Sequence, residues 1–209
     1  MRSKKGNSTM KIYDISQEVF GCTVYPGDPA PKKETICSIE DGDLYNLTAF
    51  SMCAHNGTHI DAPFHFLKDG KTVEEISLER MVGPSFVAIQ EGELWAADAE
   101  CILKKAKNVG SEAEKRILIK GDAVVTLSAA EVFAKADVFL LGVESQSVGP
   151  EDAPMAVHLA LLKKDVVLLE GLRLSEVSEG GYFLCATPLA LAGSDGAPCR
   201  AILISFGNS

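Results

Sequence analysis

The apolar residues of the chain follow two kinds of pattern. Short aliphatic runs predict strands, and these lie at residues 11–20, 86–89, 116–120, 137–141, 166–169, 182–187 and 200–205. Helical spacing and capping residues predict helices over residues 73–81, 96–107, 128–135 (with Ser128 as the cap) and 153–164. Residues 47–54 alternate as a strand does, whereas residues 21–43, rich in Pro, Gly and charge, predict a long functional loop with short strands.

The order of these elements predicts the fold class. Strands come first, strands and helices then alternate, and strands close the chain. This order favours a mixed α/β (α+β) fold with a barrel-like core. Residues 10–209 contain no linker, repeat or low-complexity segment, so we expect a single domain there. Residues 1–9 are polar and basic and lack the apolar stretch of a signal peptide, so we expect a disordered tail.

Composition excludes several classes of protein. The chain has 209 residues, 46% of them hydrophobic, and a formal net charge of −9. An acidic chain is a poor partner for nucleic acid, and no apolar run approaches the roughly 18 residues of a membrane span. The six cysteines show neither a disulfide framework nor CxxC pairs, so we expect reduced thiols in the cytoplasm. Cys53 is expected to be a small packed residue.

Three of the four histidines lie within eleven residues, at His55, His59 and His65, and Asp61 lies among them. Imidazole and carboxylate groups are ligands for zinc, and also for manganese or iron. In a helix, Asp61 would point about 200° around from His59 and could not join it. An extended segment instead puts these residues on one side. Gly57 would then leave room for an ion or substrate between two histidines.

The make-up of this cluster indicates a catalytic metal rather than a structural one. Two imidazoles and one carboxylate leave a coordination position for water. The metalloprotease motif with two histidines is excluded, because it needs a helix and a Glu after the first His, where this chain has Asn56. A turn at residues 62–63 is predicted to bend the segment, so that His65 need not lie in line with the others.

The fourth histidine and one carboxylate could complete a second metal site. His158 lies in a predicted short helix that has Pro154 near its first turn. Glu170 follows four aliphatic residues at the end of a predicted strand, where a carboxylate needs a partner. Each residue alone would be read as an ordinary structural residue. Together with the first cluster, they supply the two further ligands that a second ion would need.

The histidine segment resembles the signature of a known family. The pattern His55-x-Gly57-Thr58-His59-x-Asp61-Ala62-Pro63-x-His65-Phe66 is similar to that of the metal-dependent cyclase/hydrolase family, which includes bacterial kynurenine formamidases and isatin hydrolases. The similarity extends over nearly the whole chain. Further segments that match the family are Asp14-Ile15-Ser16, Tyr25-Pro26-Gly27-Asp28, Asp69-Gly70-Lys71, Val82-Gly83-Pro84, Leu169-Glu170-Gly171 and Pro188-Leu189.

The resemblance implies a swivelling β/β/α architecture, a homo-oligomer of at least two chains, and roles for individual residues. One divalent metal would be bound by His55, His59 and Asp61. Zinc is the first candidate for this metal and manganese is the alternative. A second, where present, would be bound by Asp61, His158 and Glu170. His65 would be the acid/base residue rather than a ligand, a task suited to histidine.

The resemblance also implies the reaction, which is amide hydrolysis with metal-activated water. The first hypothesis is an arylformamidase that converts N-formylkynurenine to kynurenine and formate. Alternatives are the opening of a cyclic amide, as in isatin hydrolases, and a non-catalytic metal-binding protein on the same scaffold. Tyr25, in the implied substrate loop, stands where formamidases tend to carry Trp. Residues 144–147 also differ from the formamidase pattern, so the substrate stays open between these alternatives.

Overall fold

Thirteen strands and three α-helices are formed by residues 10–206, the part of the chain that this computed structural model describes. The strands are β1 (Met10–Asp14), β2 (Lys32–Cys37), β3 (Leu47–Ser51), β4 (His59–Asp61), β5 (Val82–Ile89), β6 (Gly92–Leu94), β7 (Arg116–Lys120), β8 (Ala123–Val125), β9 (Leu140–Val143), β10 (Val167–Glu170), β11 (Gly180–Cys185), β12 (Gly196–Pro198) and β13 (Ile202–Phe206). The helices are α1 (Ala96–Val109), α2 (Leu127–Lys135) and α3 (Met155–Leu162).

Nine of these strands form one curled sheet in the order β1-β13-β11-β5-β7-β9-β10-β4-β12. The central strands β5, β7, β9 and β10 are parallel to one another. The strands on either side of them pair antiparallel. Two small sheets, β2–β3 and β6–β8, lie apart from this one. The mixed order expected from the sequence is thus a parallel centre with antiparallel flanks.

Both faces of the central strands are buried. In β7, Ile117 and Ile119 join the hydrophobic cluster that also contains helix residues, while Leu118 joins a second cluster on the opposite face. In β10, Leu168 and Leu169 divide between the same two clusters. Successive strand residues point to opposite faces, so a strand covered on both sides becomes a nearly continuous aliphatic run.

The three helices cover one face of the sheet. The buried residues of α1 recur at the spacing of an amphipathic helix: Ala99, Ile102, Leu103 and Ala106. Helix α2 packs against both α1 and α3, and α3 brings His158 to the sheet near β10. None of the helices described is both long enough and apolar enough to cross a membrane.

The mixed α/β prediction is confirmed, and the predicted strands are present with shifted ends. The opening strand was predicted too long. It ends at Asp14, whose Oδ1 accepts a hydrogen bond from the backbone N–H of Ser16 at 3.2 Å and turns the chain. The predicted tail over residues 1–9 lies outside the described residues.

Two helix predictions need correction. Residues 73–81 form two single 3-10 turns, Val73–Glu75 and Leu78–Arg80, because the backbone between them is extended at Ile76 (φ −73°, ψ 126°). Helix α2 is capped by Thr126 rather than by Ser128. The Thr126 hydroxyl accepts a hydrogen bond from the N–H of Ala129 at 3.4 Å.

Candidate metal centre

Strand β4 carries two of the predicted ligands at one end of the sheet. It pairs with β10 so that His59 lies opposite Glu170, and its other edge pairs with β12. Ile60 packs into the core on one face. Because strand residues alternate, His59 and Asp61 point to the other face, where α3 supplies His158. The short strand thus gathers residues from distant parts of the chain.

The extended segment predicted from residue parity is only partly present. Strand geometry holds for residues 59–61, whereas Gly57 lies in a turn with a left-handed φ of 66°. A Cβ at Gly57 would lie 3.1 Å from the Cβ of Cys22, so this glycine serves the turn and leaves no ligand space. The predicted bend is present as the 3-10 turn Pro63–His65, which brings the His65 ring to 4.1 Å from that of His55.

All five predicted ligands meet in one cluster. The Nδ1 of His55 lies 2.8 Å from Asp61 Oδ1, and His59 Nε2 lies 3.3 Å from the same oxygen. His59 Nε2 also lies 3.5 Å from Glu170 Oε2, and His158 Nε2 lies 3.4 Å from Glu170 Oε1 and 3.7 Å from Asp61 Oδ2. The ligand atoms form two groups that share Asp61 and match the sets expected from the sequence: His55–His59–Asp61 and Asp61–His158–Glu170.

Backbone carbonyls orient two of the imidazoles. The Nδ1–H of His59 donates to the carbonyl of Gly57 at 3.0 Å, and that of His158 donates to the carbonyl of Pro154 at 2.8 Å. With a proton held on Nδ1, each ring turns Nε2, the atom that would bind a metal, toward the carboxylates. A carbonyl behind the ring is the usual outer-shell partner of a metal-binding histidine. The donor set therefore fits a divalent metal ion.

The charges in the cluster also call for a cation. Asp61 and Glu170 are 1% and 2% exposed, and a buried carboxylate is costly without a compensating positive charge. Burial lowers the pKa of His55 and His59, but their hydrogen bonds to Asp61 outweigh it and raise the two pKa values to about 9 and about 10. Burial raises the pKa of Asp61, but the same bonds hold it well below its usual range. Protons or a metal ion therefore balance these carboxylates.

The cluster forms the floor of a cavity of about 370 Å³. Tyr25 lines it, and the Tyr25 hydroxyl donates to the backbone carbonyl of Glu151 at 2.9 Å. Gln146 and Ser147 also line the cavity, which places the divergent segment at residues 144–147 beside the cluster. Cys53, expected to be a packed residue, lines the cavity as well.

Asp195 belongs to the site and was missed from the sequence. Its Oδ2 lies 2.8 Å from His55 Nε2 and 3.1 Å from His65 Nδ1. An aspartate in a Gly-Ser-Asp-Gly turn carries no pattern that marks it as functional. A partial signal is Gly196, where a Cβ would lie 2.8 Å from His55 Cε1, so the chain passes too close to the imidazole for a side chain.

Comparison with known proteins points to the same family as the histidine signature. The model of the family described as "Putative cyclase" matches residues 13–150. The protein named kynurenine formamidase from Bacillus anthracis is 34% identical to this chain, over 93% of this chain and 98% of the relative. The protein of the same name from Salinibacter ruber is 36% identical, over 93% of this chain and 97% of the relative. A solved structure described as a potential metal-dependent hydrolase with cyclase activity is 28% identical, with a TM-score of 0.80 over 96% of this chain and 100% of that one.

A more distant structural neighbour shares the fold. Isatin hydrolase A from Labrenzia aggregata is 21% identical, with a TM-score of 0.81 over 94% of both chains. The resemblance read from the histidine signature is therefore confirmed, and so is the architecture it implied. This chain belongs to the cyclase family of metal-dependent hydrolases.

Proposed function

We propose that the chain is a metal-dependent arylformamidase that hydrolyses N-formylkynurenine to kynurenine and formate. The observation that carries the proposal is the shared carboxylate of Asp61, which joins two ligand groups on the floor of a cavity that His65 also lines. The substrate is taken from the relatives named kynurenine formamidase, which align over nearly their whole length. The cavity, at about 370 Å³, is of the size that small-molecule sites have.

In this proposal, one metal is held by His55, His59 and Asp61, and a second by Asp61, His158 and Glu170. Zinc is the first candidate because imidazole and carboxylate ligands with an open position are typical of catalytic zinc. Manganese is the alternative, since carboxylate-rich sites also accept it. A bound divalent ion supplies polarisation of the amide carbonyl and activation of water.

The residues of the chain handle orientation and protons. In the reaction, water forms a C–O bond to the formyl carbon, the C–N bond breaks, and the departing aromatic amine takes up a proton. His65 lines the cavity beside the cluster and is proposed to accept the proton that the water loses and to deliver it to the amine. Tyr25, held to the carbonyl of Glu151, is proposed to contact the aromatic part of the substrate.

We also propose that the protein is a homo-oligomer in the cytoplasm. The β2–β3 ribbon is not part of the main sheet, and an isolated two-stranded ribbon is only marginally stable in water. It exposes large apolar side chains, among them Leu47 and Phe50, which a second copy could cover. The six cysteines are all free, as expected in a reducing compartment. Light scattering should give at least twice the 22.3 kDa of one chain, and a monomeric mass would contradict the oligomer.

Substrate and metal can be tested in one assay. The metal-stripped protein is supplied with zinc or manganese and offered N-formylkynurenine and isatin separately. We expect turnover of N-formylkynurenine, fastest with zinc. Preferred turnover of isatin would favour the cyclic amide alternative. The fold shared with isatin hydrolase A is the observation that supports this alternative. Turnover of neither compound with either metal would contradict the proposed function.

A further inference from the structure

Asp195 belongs to neither of the two proposed ligand sets, but its carboxylate lies between His55 and His65. Its Oδ2 lies 2.8 Å from His55 Nε2 and 3.1 Å from His65 Nδ1. The Asp195 side chain is 41% exposed, unlike the two buried ligand carboxylates. It therefore contacts one proposed ligand and the proposed proton carrier from a partly exposed position in the cavity lining.

The backbone fixes this contact. The carbonyl of Asp195 accepts the N–H of Ala62 at 2.9 Å, and the carbonyl of Ala62 accepts the N–H of His65 at 2.9 Å. One residue further back, the carbonyl of Ser194 accepts the N–H of Val73 at 2.9 Å. The turn that presents the carboxylate is thus tied directly to the turn that presents the imidazole.

We propose that Asp195 is a positioning residue that fixes the orientation and tautomer of His65. When the Nδ1–H of His65 donates to Asp195, the neutral ring carries its lone pair on Nε2. The described residues offer Nε2 no hydrogen-bond partner, so this nitrogen is left to exchange a proton with the substrate. A carboxylate behind an imidazole plays the same part in hydrolases with a catalytic triad.

Asp195 also contacts His55, and His55, His65 and Asp195 could themselves hold an ion. Two observations favour the positioning role. The Nδ1 of His55 already faces Asp61, so its Nε2–H is free to donate to Asp195 as to an outer-shell partner. The exposed carboxylate also lacks the enclosure that the other two carboxylates have.

The inference rests on His65 being the proton carrier of the proposed function, and a double-mutant cycle tests it. Zinc-loaded wild type, Asp195→Asn, His65→Asn and the double variant are compared on formanilide and 4-nitroformanilide at saturating zinc. We expect Asp195→Asn to lower kcat for formanilide by about 10- to 100-fold with little change in KM. The loss should be smaller for 4-nitroformanilide, whose amine leaves without a full proton transfer.

In the His65→Asn background, Asp195→Asn should cost little more, because both changes remove one function. Asp28→Asn is the matched control, since Asp28 lines the same cavity and its carboxylate contacts Cys53 rather than a histidine. Its effect on kcat, of whatever size, should be the same in both backgrounds. An Asp195→Asn loss that is equal with and without His65, or a zinc content that falls at saturating metal, would overturn the proposal.

A spectroscopic readout separates this inference from the proposed function. Nitrogen-15 spectra of the zinc-loaded protein, with His65 assigned by its loss in His65→Asn, should show the Nδ1–H tautomer. Asp195→Asn should shift His65 toward a tautomer mixture, and Asp28→Asn should not. An unchanged tautomer in Asp195→Asn would overturn the positioning role even in an active enzyme. Wild-type protein that hydrolyses no formamide would instead count against the function and leave the tautomer result standing.

Discussion

The inner and outer halves of the site are built differently. The inner group consists of four of the five proposed ligands, His59, Asp61, His158 and Glu170, which lie on β4, α3 and β10 and are 1–3% exposed. The fifth, His55, joins the two groups through its contacts with Asp61 and Asp195. The outer group consists of His65, Asp195 and Tyr25, which lie outside the strands and α-helices, are partly exposed and line the same cavity. The inner group suits metal binding, which needs fixed geometry. The outer group suits proton transfer and substrate contact, which need access.

The two halves also differ in what they cost the folded protein. Burying two carboxylates without a cation is expensive, so the inner group depends on protons or on a metal. The outer group keeps contact with water, so its charged groups carry a smaller desolvation penalty. Changes to the inner group should therefore alter metal binding and stability, and changes to the outer group should alter turnover.

The largest effect is expected from Asp61→Asn. The amide keeps the shape but removes the oxygen charge that both ligand groups share. We expect loss of bound metal and a fall in kcat/KM beyond the 10- to 100-fold that is typical of altering an outer-shell partner. Metal analysis of the purified variant and a rate assay check this. Full metal content in the variant would remove Asp61 from the ligand set.

His65→Asn should leave the inner group intact and stop the proton transfer. Positioned acid/base residues contribute about 10²- to 10⁴-fold, so kcat should fall by that much with metal content unchanged. The variant should be compared with wild type by steady-state kinetics and elemental analysis. Loss of metal would show that His65 is a ligand and would contradict the assignment of His65 to the outer group.

The stability of the metal-free protein should fall as pH rises. The pKa values of His55 and His59 are raised to about 9 and about 10 in the fold. Such groups contribute stability that is complete below pH 6.5, the ordinary histidine value, and that is lost as pH rises through their folded pKa values. Metal competes with these protons, so it binds better at high pH.

The gap in Tm between zinc-loaded and metal-free protein should therefore widen from pH 6.5 to pH 9. We expect at least about 4 °C, since 1 kcal/mol shifts Tm by about 2–4 °C at this chain length. Calorimetry on both forms at the two pH values measures it. A constant gap would show that the imidazoles are not protonated in the metal-free fold.

The smallest effect is expected from Tyr25→Phe. The change removes one hydrogen bond, from the Tyr25 hydroxyl to the carbonyl of Glu151, and keeps the ring in the cavity. A single hydrogen bond is worth about 0.5–1.5 kcal/mol, so KM should rise by about 2- to 10-fold while kcat stays the same. Steady-state kinetics on N-formylkynurenine decide it. A fall in kcat alone would assign Tyr25 to the reaction rather than to binding.

Residue type and local spacing explain which site residues were predictable. His55, His59 and Asp61 stand out because metal ligands are rare residue types crowded into a short segment. Glu170 was found because a carboxylate that ends an aliphatic run is out of place. The helix expected over residues 73–81 was wrong because local spacing cannot reveal the extended backbone at Ile76.

The sequence by itself determined the family, the mixed α/β class and the five candidate ligands, because residue type and alternation are local properties of a chain. Only the tertiary structure decided that β4 lies between β10 and β12, so that His59 faces Glu170 from more than a hundred residues away. It alone brought Asp195 to His55 and His65. Contacts of that kind depend on sheet order and backbone ties between turns, which no local pattern encodes.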